Sequence, residues 1–516
     1  MKKSARILIF VFATILLLPA CGTNPGGAEG TQTVDRDDVI FCQITDPKSL
    51  DPLEGENQQD WMVPRQIVET LIRDAQGDPT VQEPLLAESW EFSEDGKALL
   101  LKIPQGVKFT NGYDLTVEDV VWSLNRAFSS PATDAYSGMV ENAEVIDETT
   151  VALNLKYPYE PVIKILTNPT LGIQSQRYYE ECQASGVAFN RNPIGTGAYY
   201  LEEWVNGEKL VLQRNENYHG TPANIKTVTI QIIPDQTTAA MAMESHDVDA
   251  FFGVTSADLA RFRQDSNLQV LSARSFTFYS LWFNTTRAPF DNKAVRQAIS
   301  YGLNRQDILD GGMAKVGWTI ECPMGSGVFG YQEDFKHNPY DLEKAKQLLA
   351  EAGYPDGFTC TLKCTSEDWV KMPAQVVQEQ LRKMGIDCKI EVMERGAYLE
   401  DVQVNSNFDL IFAGSGALYA DADSVTYKCL HSSAKGQGGN WSLYDNPEMD
   451  SLLDEARIEL DSDKRYELYK QVSELCKEDC PIIPLAQSTN SLTAWKDLKG
   501  AYAHPASKFL FQDWSW

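Results

Sequence analysis

Residues 374–392, AQVVQEQLRKMGIDCKIEV, decide the fold class of this chain. The segment from Ala374 to Met384 predicts a helix, and Gly385 ends it because glycine readily adopts the left-handed conformation that follows many helices. After Gly385 the residues alternate between apolar and polar types, the pattern of a half-buried strand. Its apolar members are Ile386, Cys388, Ile390 and Val392. A helix that leads directly into a strand indicates an α/β arrangement.

The sequence before this stretch continues the alternation of helices and strands. Asp291 can cap a helix whose apolar face carries Val295, Ala298, Ile299 and Leu303. Asp341 opens another helix, which Gly353 follows, and residues 358–362 alternate like a strand. Residues 290–395 therefore predict an α/β lobe.

Two further helices are predicted outside this lobe. Thr116 and Asp119 approximate a capping box in front of an apolar helical pattern. Near the C-terminus, Tyr466, Tyr469, Val472 and Leu475 follow a helical spacing, and the pattern becomes extended after Cys480.

Length and composition place the chain among large globular proteins. Its 516 residues exceed what one hydrophobic core usually holds, so two or three lobes are expected. Hydrophobic residues form 43% of the chain and charged residues 23%, as in folded rather than disordered proteins. Lys and Arg number 45 against 73 Asp and Glu, and the net charge of −28 argues against a nucleic-acid partner. Only the N-terminus is apolar enough to concern a membrane, which excludes a multi-span transporter.

The N-terminal segment, residues 1–20, has the form of a signal peptide. Basic residues precede an apolar run that is shorter than the roughly 20 residues needed to span a bilayer. Leu18-Pro19-Ala20-Cys21 resembles the bacterial lipobox, in which the chain is cut before a cysteine that receives a diacylglyceryl group. An uncleaved N-terminal anchor is the alternative. Residues 21–37 are polar and Gly-rich, as expected of a flexible tether.

The sequence lacks the common motifs of catalysis and metal binding. The five histidines are spread out without an HExxH pair, and there is no GxSxG elbow or GxxxxGK[ST] phosphate loop. Among ten cysteines, the pairs Cys360/Cys364 and Cys476/Cys480 lack the partners of a zinc site. Export permits disulfides, but the sequence assigns none. We therefore expect a protein that is not an enzyme and holds no metal or cofactor.

Several segments, in the same order along the chain, resemble the extracellular solute-binding proteins of family 5, the dipeptide/oligopeptide/nickel-type receptors of ABC importers. The most recognisable block comprises residues 84–90 (PLLAESW), 93–96 (SEDG), 106–109 (GVKF) and 115–121 (LTVEDVV). Residues 192–199 (NPIGTGAY) are similar to the family's "PvGTGPY" motif, with Ala198 in place of the proline. The other matches are 50–52 (LDP), 67–71 (IVETL), 215–218 (NENY), 283–284 (FN), 289–290 (PF), 295–298 (VRQA) and 340–353.

The resemblance implies an α/β clamshell like that of the periplasmic binding proteins, of the class II type, with an extra inserted domain and thus three lobes. Lobe I would gather residues 38–73, 194–274 and 491–516. Lobe II would be the insertion 74–193, and lobe III would span 275–490. Two crossovers, near Arg274 and Asn490, would form the hinge, and the ligand would bind between lobes I and III.

In peptide-binding members of the family, an aspartate of lobe III receives the ammonium group of the ligand. The resemblance assigns this role to Asp421, within the sequence ADAD at 420–423. A carboxylate is needed because an unpaired buried charge costs several kcal/mol. Asp423 takes the role if the register slips by two, and Tyr419 would contact the ligand beside it. A solvated acidic loop is the alternative.

One cation and several aromatic residues complete the expected site. Lys371 stands roughly where dipeptide binders carry a cation for the ligand carboxylate, and a surface lysine is the alternative. Phe276 and Phe278 share one face of a strand and would floor the cleft, while Tyr279 takes the other face. Trp369 would form a wall. Core packing is the alternative for each aromatic residue.

The implied function is that of a substrate-binding lipoprotein of an ABC importer. It would be a monomer, anchored through Cys21 on the extracytoplasmic face of the cell membrane, that captures short peptides and delivers them to the transmembrane subunits of a permease. The same fold with a nickel chelate, haem, an opine or an oligosaccharide as cargo is the second reading. A secreted hydrolase or a sensor domain is the third.

Overall fold

Seventeen strands form three sheets within residues 36–516, the part of the chain that the computed structural model describes. The strands are β1 (Asp38–Gln43), β2 (Ile72–Ala75), β3 (Asp78–Pro84), β4 (Ser89–Phe92), β5 (Ala98–Lys102), β6 (Val140–Asp147), β7 (Thr150–Leu155), β8 (Tyr199–Val205), β9 (Lys209–Arg214), β10 (Thr227–Ile232), β11 (Ala250–Phe252), β12 (Leu268–Phe283), β13 (Trp318–Thr319), β14 (Thr359–Thr365), β15 (Asp387–Met393), β16 (Leu410–Gly416) and β17 (Ile482–Trp495). The predicted signal peptide, Cys21 and the tether up to residue 35 lie outside the described residues.

Fifteen α-helices accompany these strands in the same part of the chain. They are α1 (Pro64–Ile67), α2 (Val117–Phe128), α3 (Asp134–Ser137), α4 (Val162–Ile165), α5 (Gln176–Ser185), α6 (Gln236–Glu244), α7 (Ser256–Phe262), α8 (Lys293–Gly302), α9 (Arg305–Gly312), α10 (Leu342–Glu351), α11 (Asp368–Lys383), α12 (Arg395–Leu399), α13 (Asp423–Leu430), α14 (Pro447–Ile458) and α15 (Ser462–Asp479). No helix within residues 36–516 has both the length and the apolar character that crossing a bilayer requires.

The caps that the sequence predicts for α10 and α2 are confirmed. The Asp341 side chain accepts a hydrogen bond from the backbone N–H of Lys344, and Gly353, at φ +96°, follows the end of α10. At α2, Thr116 and Asp119 form a complete capping box.

Two predicted helix starts are wrong. Asn292 rather than Asp291 caps α8, because the Asn292 side chain accepts from the backbone N–H two residues later. Helix α11 begins at Asp368, before the predicted start at Ala374, and it contains Pro373. Proline usually marks a helix boundary because it lacks an N–H donor. Here Pro373 lies within the helix, packed against Gly312 of α9, where a side chain larger than hydrogen would clash.

The largest sheet has the order β15-β14-β16-β12-β17-β11-β1-β10-β9-β8, with β13 paired to β17. We call β8, β9, β10, β1 and β11 the first half-sheet, and β14, β15 and β16 the second half-sheet. Strands β12 and β17 lie between them and pair with each other along most of their length. The first half-sheet joins at β17 through β11, and the second joins at β12 through β16. The register of β12 on β17 shifts between Arg274 and Phe278, so the ladder is interrupted between the two half-sheets.

Separate hydrophobic cores pack on the sheets. Two cores belong to the first half-sheet, two to the second, and one to the four-stranded sheet β4-β5-β7-β6. As the alternation along β12 predicts, Phe276 and Phe278 share one core while Tyr279 belongs to the core on the opposite face. The nine cysteines of the described residues are buried and not disulfide-bonded.

The GTG segment at 195–197 fits tightly against the end of α1. A Cβ on Gly195 would lie 1.9 Å from the carbonyl oxygen of Ile67, so only glycine fits there. Between the two glycines, the Thr196 hydroxyl donates to the buried carboxylate of Glu69 at 2.7 Å. His219 reaches the same carboxylate at 2.7 Å through Nε2. The segment is therefore part of a polar network around Glu69, directly before β8 of the first half-sheet.

This network predicts a pH-dependent stability. Burial acts to lower the pKa of His219, but the hydrogen bond and the charge of Glu69 outweigh it, so the pKa is raised above 6.5. A raised folded-state pKa stabilises the protein below the unfolded-state pKa, and the stabilisation is lost as the pH rises through the folded-state value. In urea denaturation, His219→Gln should therefore lose more free energy of unfolding at about pH 5.5 than at about pH 8.

The matched control is His246→Gln, because the side chain of His246 is exposed. A His219 variant whose loss is equal at both pH values, or larger at the higher one, contradicts the proposed pairing with Glu69.

Candidate functional site

A cavity of about 290 Å³ opens where three parallel strands of the second half-sheet end. Glu367 and Trp369 follow the end of β14, Arg395 and Tyr398 follow the end of β15, and the last residues of β16 line the cavity directly. The carboxyl ends of parallel strands are the usual place for ligands in α/β sheets, because the loops that follow them converge at one edge.

The back wall of the cavity is the face of β12 that carries Thr277 and Tyr279. Gly414 and Gly416 on the neighbouring β16 leave room for these side chains, since a Cβ on Gly416 would lie 2.9 Å from the Thr277 hydroxyl. Tyr279 stacks on Phe412 with the ring planes 2° apart. The wall lies at the register shifts of β12 on β17, since Thr277 falls between Arg274 and Phe278 and a second shift follows Tyr279.

Two opposite charges line the cavity, and neither is paired with another described residue. Within residues 36–516, Glu367 and Arg395 have no ion-pair partner within 4 Å, and Arg395 is exposed. The Thr365 hydroxyl lowers the pKa of Glu367, and its own backbone N–H and the positive charge of Arg395 act in the same direction. Glu367 is therefore a carboxylate at neutral pH, and the cavity offers one anion and one cation.

Two buried oxygen atoms at the cavity lack a hydrogen-bond partner among the described protein atoms. They are the hydroxyl of Tyr398 and Oε2 of Glu367. Tyr398 is 6% exposed, and burial raises the pKa of its hydroxyl, which stays neutral and able to donate. Buried polar groups are nearly always hydrogen-bonded, so two unmatched ones beside a cavity indicate a polar binding site.

The predicted ammonium-binding residue, Asp421, lies outside this cavity and has no exposed surface. Its carboxylate forms a two-pronged ion pair with Arg465, at 2.6 and 2.9 Å, and lies 3.4 Å from Nζ of Lys164. Glu160 bonds to both cations at 2.8 Å. Burial acts to raise the pKa of Asp421, but the two cations outweigh it and lower it. The cluster is neutral and complete without a ligand.

Asp423 and Tyr419 belong to a second buried network. Asp423 accepts from Arg457 at 2.9 Å and from the hydroxyl of Tyr159 at 2.5 Å. The hydroxyl groups of Tyr159 and Tyr419 are 2.6 Å apart. Since Tyr159 follows β7, both networks fasten the region of the four-stranded sheet to residues 419–465. Asp421 and Asp423 therefore make internal contacts rather than forming a solvated acidic loop.

The other predicted ligand residues are placed differently. Trp369 is 59% exposed and lines the cavity, as expected of a wall. Lys371 forms an ion pair with Asp368 at 3.0 Å and does not line the cavity. Phe276 and Phe278 are buried in a hydrophobic core on the opposite face of β12 from the cavity wall. Their burial leaves Tyr279 as the aromatic residue that β12 presents to the cavity.

Sequence reasoning missed Glu367, Arg395 and Tyr398. Each follows a predicted strand by a few residues, and that position is the signal that could have found them. No metal-binding group of three or more His, Cys, Asp or Glu residues occurs within the part of the chain from residue 36 onward.

The buried position of Asp421 predicts a large loss of stability on its removal. Asp421→Asn should lower the free energy of unfolding by about 3–5 kcal/mol, because the two buried cations Arg465 and Lys164 would then share Glu160 as their one carboxylate partner among the described residues. Chemical denaturation measures this difference.

The matched control is Asp445→Asn, which removes a carboxylate from an exposed ion pair with Lys435. Such surface pairs contribute about 0–1 kcal/mol. If both substitutions lower the free energy of unfolding by the same amount, the carboxylate of Asp421 is not held in a buried ion-pair cluster.

Comparison with known proteins identifies relatives across almost the whole chain. The family model described as bacterial extracellular solute-binding proteins, family 5 Middle, matches residues 82–437. Heme-binding protein A of Haemophilus influenzae is 26% identical over 98% of this chain and 97% of its own length. The dipeptide-binding protein of Escherichia coli is 27% identical over 92% of this chain and 94% of its own length.

The fold is shared with a solved structure of the same kind. The ABC transporter-associated periplasmic binding protein of Helicobacter pylori, solved with the peptide STSA, is 27% identical. The alignment covers 93% of this chain and 98% of that chain, with a TM-score of 0.73. Because the family model spans more than half of the sequence, this chain belongs to family 5 of the bacterial extracellular solute-binding proteins.

Proposed function

We propose that this protein captures short peptides on the extracytoplasmic side of the membrane and delivers them to the permease of an ABC importer. The observation that carries the proposal is the position of the cavity. Its wall, Thr277 and Tyr279 of β12, lies at the register shifts of β12 on β17, where the two half-sheets meet. A ligand at this position contacts β12, one of the two strands about which the halves would rotate, so binding and closure would be coupled.

The distribution of the cores supports a division into the three lobes. Both cores of the first half-sheet draw only on residues 38–73, 194–274 and 491–516, which form lobe I of the proposal. The buried residues of both cores of the second half-sheet lie within residues 275–490, which form lobe III, and the partly buried Ala506 packs against one of these cores. Between these lobes the chain crosses twice, in β12 and in β17, and the proposed hinge lies there.

Relatives support a peptide as the cargo. One is named a dipeptide-binding protein, and another was solved with a four-residue peptide. A short peptide carries one ammonium and one carboxylate group, and the cavity presents one carboxylate and one guanidinium that have no ion-pair partner within residues 36–516. An ion pair between a charged group of the ligand and one of a partly dry site is strong, because each group replaces the hydration that the other loses.

A peptide cargo leads to a prediction that mass spectrometry can test. Protein purified without unfolding should carry a mixture of short peptides, because closed lobes release a ligand slowly, and native mass spectrometry detects them directly. Protein that has been unfolded, washed and refolded is the control and should lose them. If the protein retains a single compound that is not a peptide, the proposal of a peptide cargo is wrong. If the protein chemically converts a bound compound, the proposal that it only carries its cargo is wrong.

We also propose that Cys21 carries a diacylglyceryl group that anchors the protein to the membrane. Each buried methylene of an acyl chain contributes about 0.8 kcal/mol, and two chains together hold a protein firmly. Cys21→Ser should move the protein from the membrane fraction to the soluble fraction with its peptide affinity unchanged, because the lipid acts only as a tether. Membrane fractionation and calorimetry measure the two properties.

The control for the anchor is Cys42→Ser, which alters a cysteine buried in the first half-sheet. It should leave the protein in the membrane fraction. A Cys21 variant that still sediments with membranes would disprove the lipid anchor.

A further inference from the structure

We infer that the cavity takes both charged ends of a dipeptide-sized zwitterion, with Arg395 binding its carboxylate and Glu367, rather than Asp421, binding its ammonium group. This inference rests on the proposed function and specifies the ligand and the residues that recognise it. It is carried by the unpaired groups of the cavity and by the internal pairing of Asp421.

Asp421 is excluded by its partners. Arg465 already binds both of its oxygen atoms, and Lys164 lies close to one of them. A ligand ammonium could reach Asp421 only by displacing Arg465, which has no exposed surface. The displaced guanidinium would keep Glu160 as its only carboxylate partner in a buried site, so the exchange is unfavourable.

Glu367 can offer a ligand an acceptor oxygen, whereas both oxygen atoms of Asp421 are already bound by Arg465. One of its oxygen atoms is buried without a hydrogen-bond partner among the described residues, and the side chain lines the cavity. An ammonium group donates up to three hydrogen bonds and carries the complementary charge. Binding it satisfies a buried oxygen and introduces no competition with an internal cation.

Arg395 and Tyr398 form the complementary donor group. They are three residues apart on α12 and therefore lie on the same face of the helix. The planar guanidinium of arginine fits the two oxygen atoms of a carboxylate, and no protein carboxylate occupies it within the described residues. The Tyr398 hydroxyl, buried and unpaired, can donate to the same group. Together they offer a ligand carboxylate a charge and an additional hydrogen bond.

The size of the cavity and its exposed aromatic residue favour a small ligand. The volume of about 290 Å³ lies just below the range for small-molecule sites, which runs from roughly 300 to 1,000 Å³. Trp369 leaves 59% of its surface exposed at the mouth of the cavity, and a bound ligand would cover part of it. A ligand with both charges close together satisfies Glu367 and Arg395 at once, whereas a long peptide would bring only one end into the cavity.

The test begins with a defined mixture of dipeptides and of peptides of six residues, offered to ligand-free protein. Native mass spectrometry identifies the retained members. The best-retained dipeptide is then measured by calorimetry beside its N-acetyl form, which lacks the ammonium, and its C-terminal amide, which lacks the carboxylate. Wild-type protein should bind the unmodified dipeptide at least about tenfold more tightly than either blocked form, because each blocked form cannot make one of the two charge-assisted hydrogen-bond pairs.

The variants assign each end of the ligand. Arg395→Gln should bind the dipeptide and its amide equally, and Glu367→Gln should bind the dipeptide and its N-acetyl form equally. Glu394→Gln, which removes an exposed carboxylate beside α12, is the control and should behave as wild type. Intrinsic tryptophan fluorescence should change on binding in every variant that still binds, because Trp369 and Trp441 line the cavity, and thermal melting checks that each variant is folded.

Three results would overturn the inference without overturning the proposed function. The first is retention of six-residue peptides without dipeptides, which leaves the proposed function standing. The second is unchanged discrimination by the Arg395 and Glu367 variants. The third is loss of dipeptide binding by a folded Asp421→Asn protein, while the Glu367→Gln protein binds the dipeptide normally. Retention of no peptide of either length would overturn the inference and the proposed function together.

Discussion

The pairing of β12 with β17 is the constraint on which the rest of the structure depends. These two strands are 16 and 14 residues long, and each half-sheet is attached to only one of them. Removing either strand would separate the halves, because the remaining strand has no partner that joins both sides. The register shift between Arg274 and Phe278 interrupts the ladder where the halves meet. An interrupted ladder bends more easily than a regular one, so this point is suited to a hinge.

A second constraint is the pair of buried charge networks around Asp421 and Asp423. Both networks connect residues 157–165 with residues 419–465, and they use two arginines, one lysine and two tyrosines to do so. Buried ion pairs contribute little net stability compared with apolar packing, but breaking one by removing a single partner is costly. Such networks specify one arrangement of the two surfaces, and they consume the carboxylates that would otherwise face a ligand.

Much of the fold could be predicted from the sequence, because local rules determine it. The caps at Thr116 and Asp341, the strand after Gly385 and the alternation along β12 depend on residues within a few positions of one another. The start of α11 could not be predicted, since Pro373 is tolerated only because Gly312 on another helix leaves space for it. The family resemblance identified the overall architecture, which spans segments far apart in the sequence.

The site was harder to predict than the fold. Asp421 occupies the position that the resemblance indicates, but Arg465 lies 44 residues further along and Lys164 more than 250 residues before it, so no local pattern reveals their pairing. Glu367 and Arg395 are ordinary charged residues in the sequence. The role that we propose for them depends on three strand ends that converge on one cavity, where neither charge has a partner among the described residues.

The most direct measurement is a crystal structure of the protein with a retained peptide bound. Our account predicts that the peptide lies against β12 at the carboxyl ends of β14, β15 and β16. Its ammonium group would contact Glu367, its carboxylate would contact Arg395, and Asp421 would remain paired with Arg465. A structure in which the ammonium group binds Asp421 and Arg465 has turned away would contradict the account.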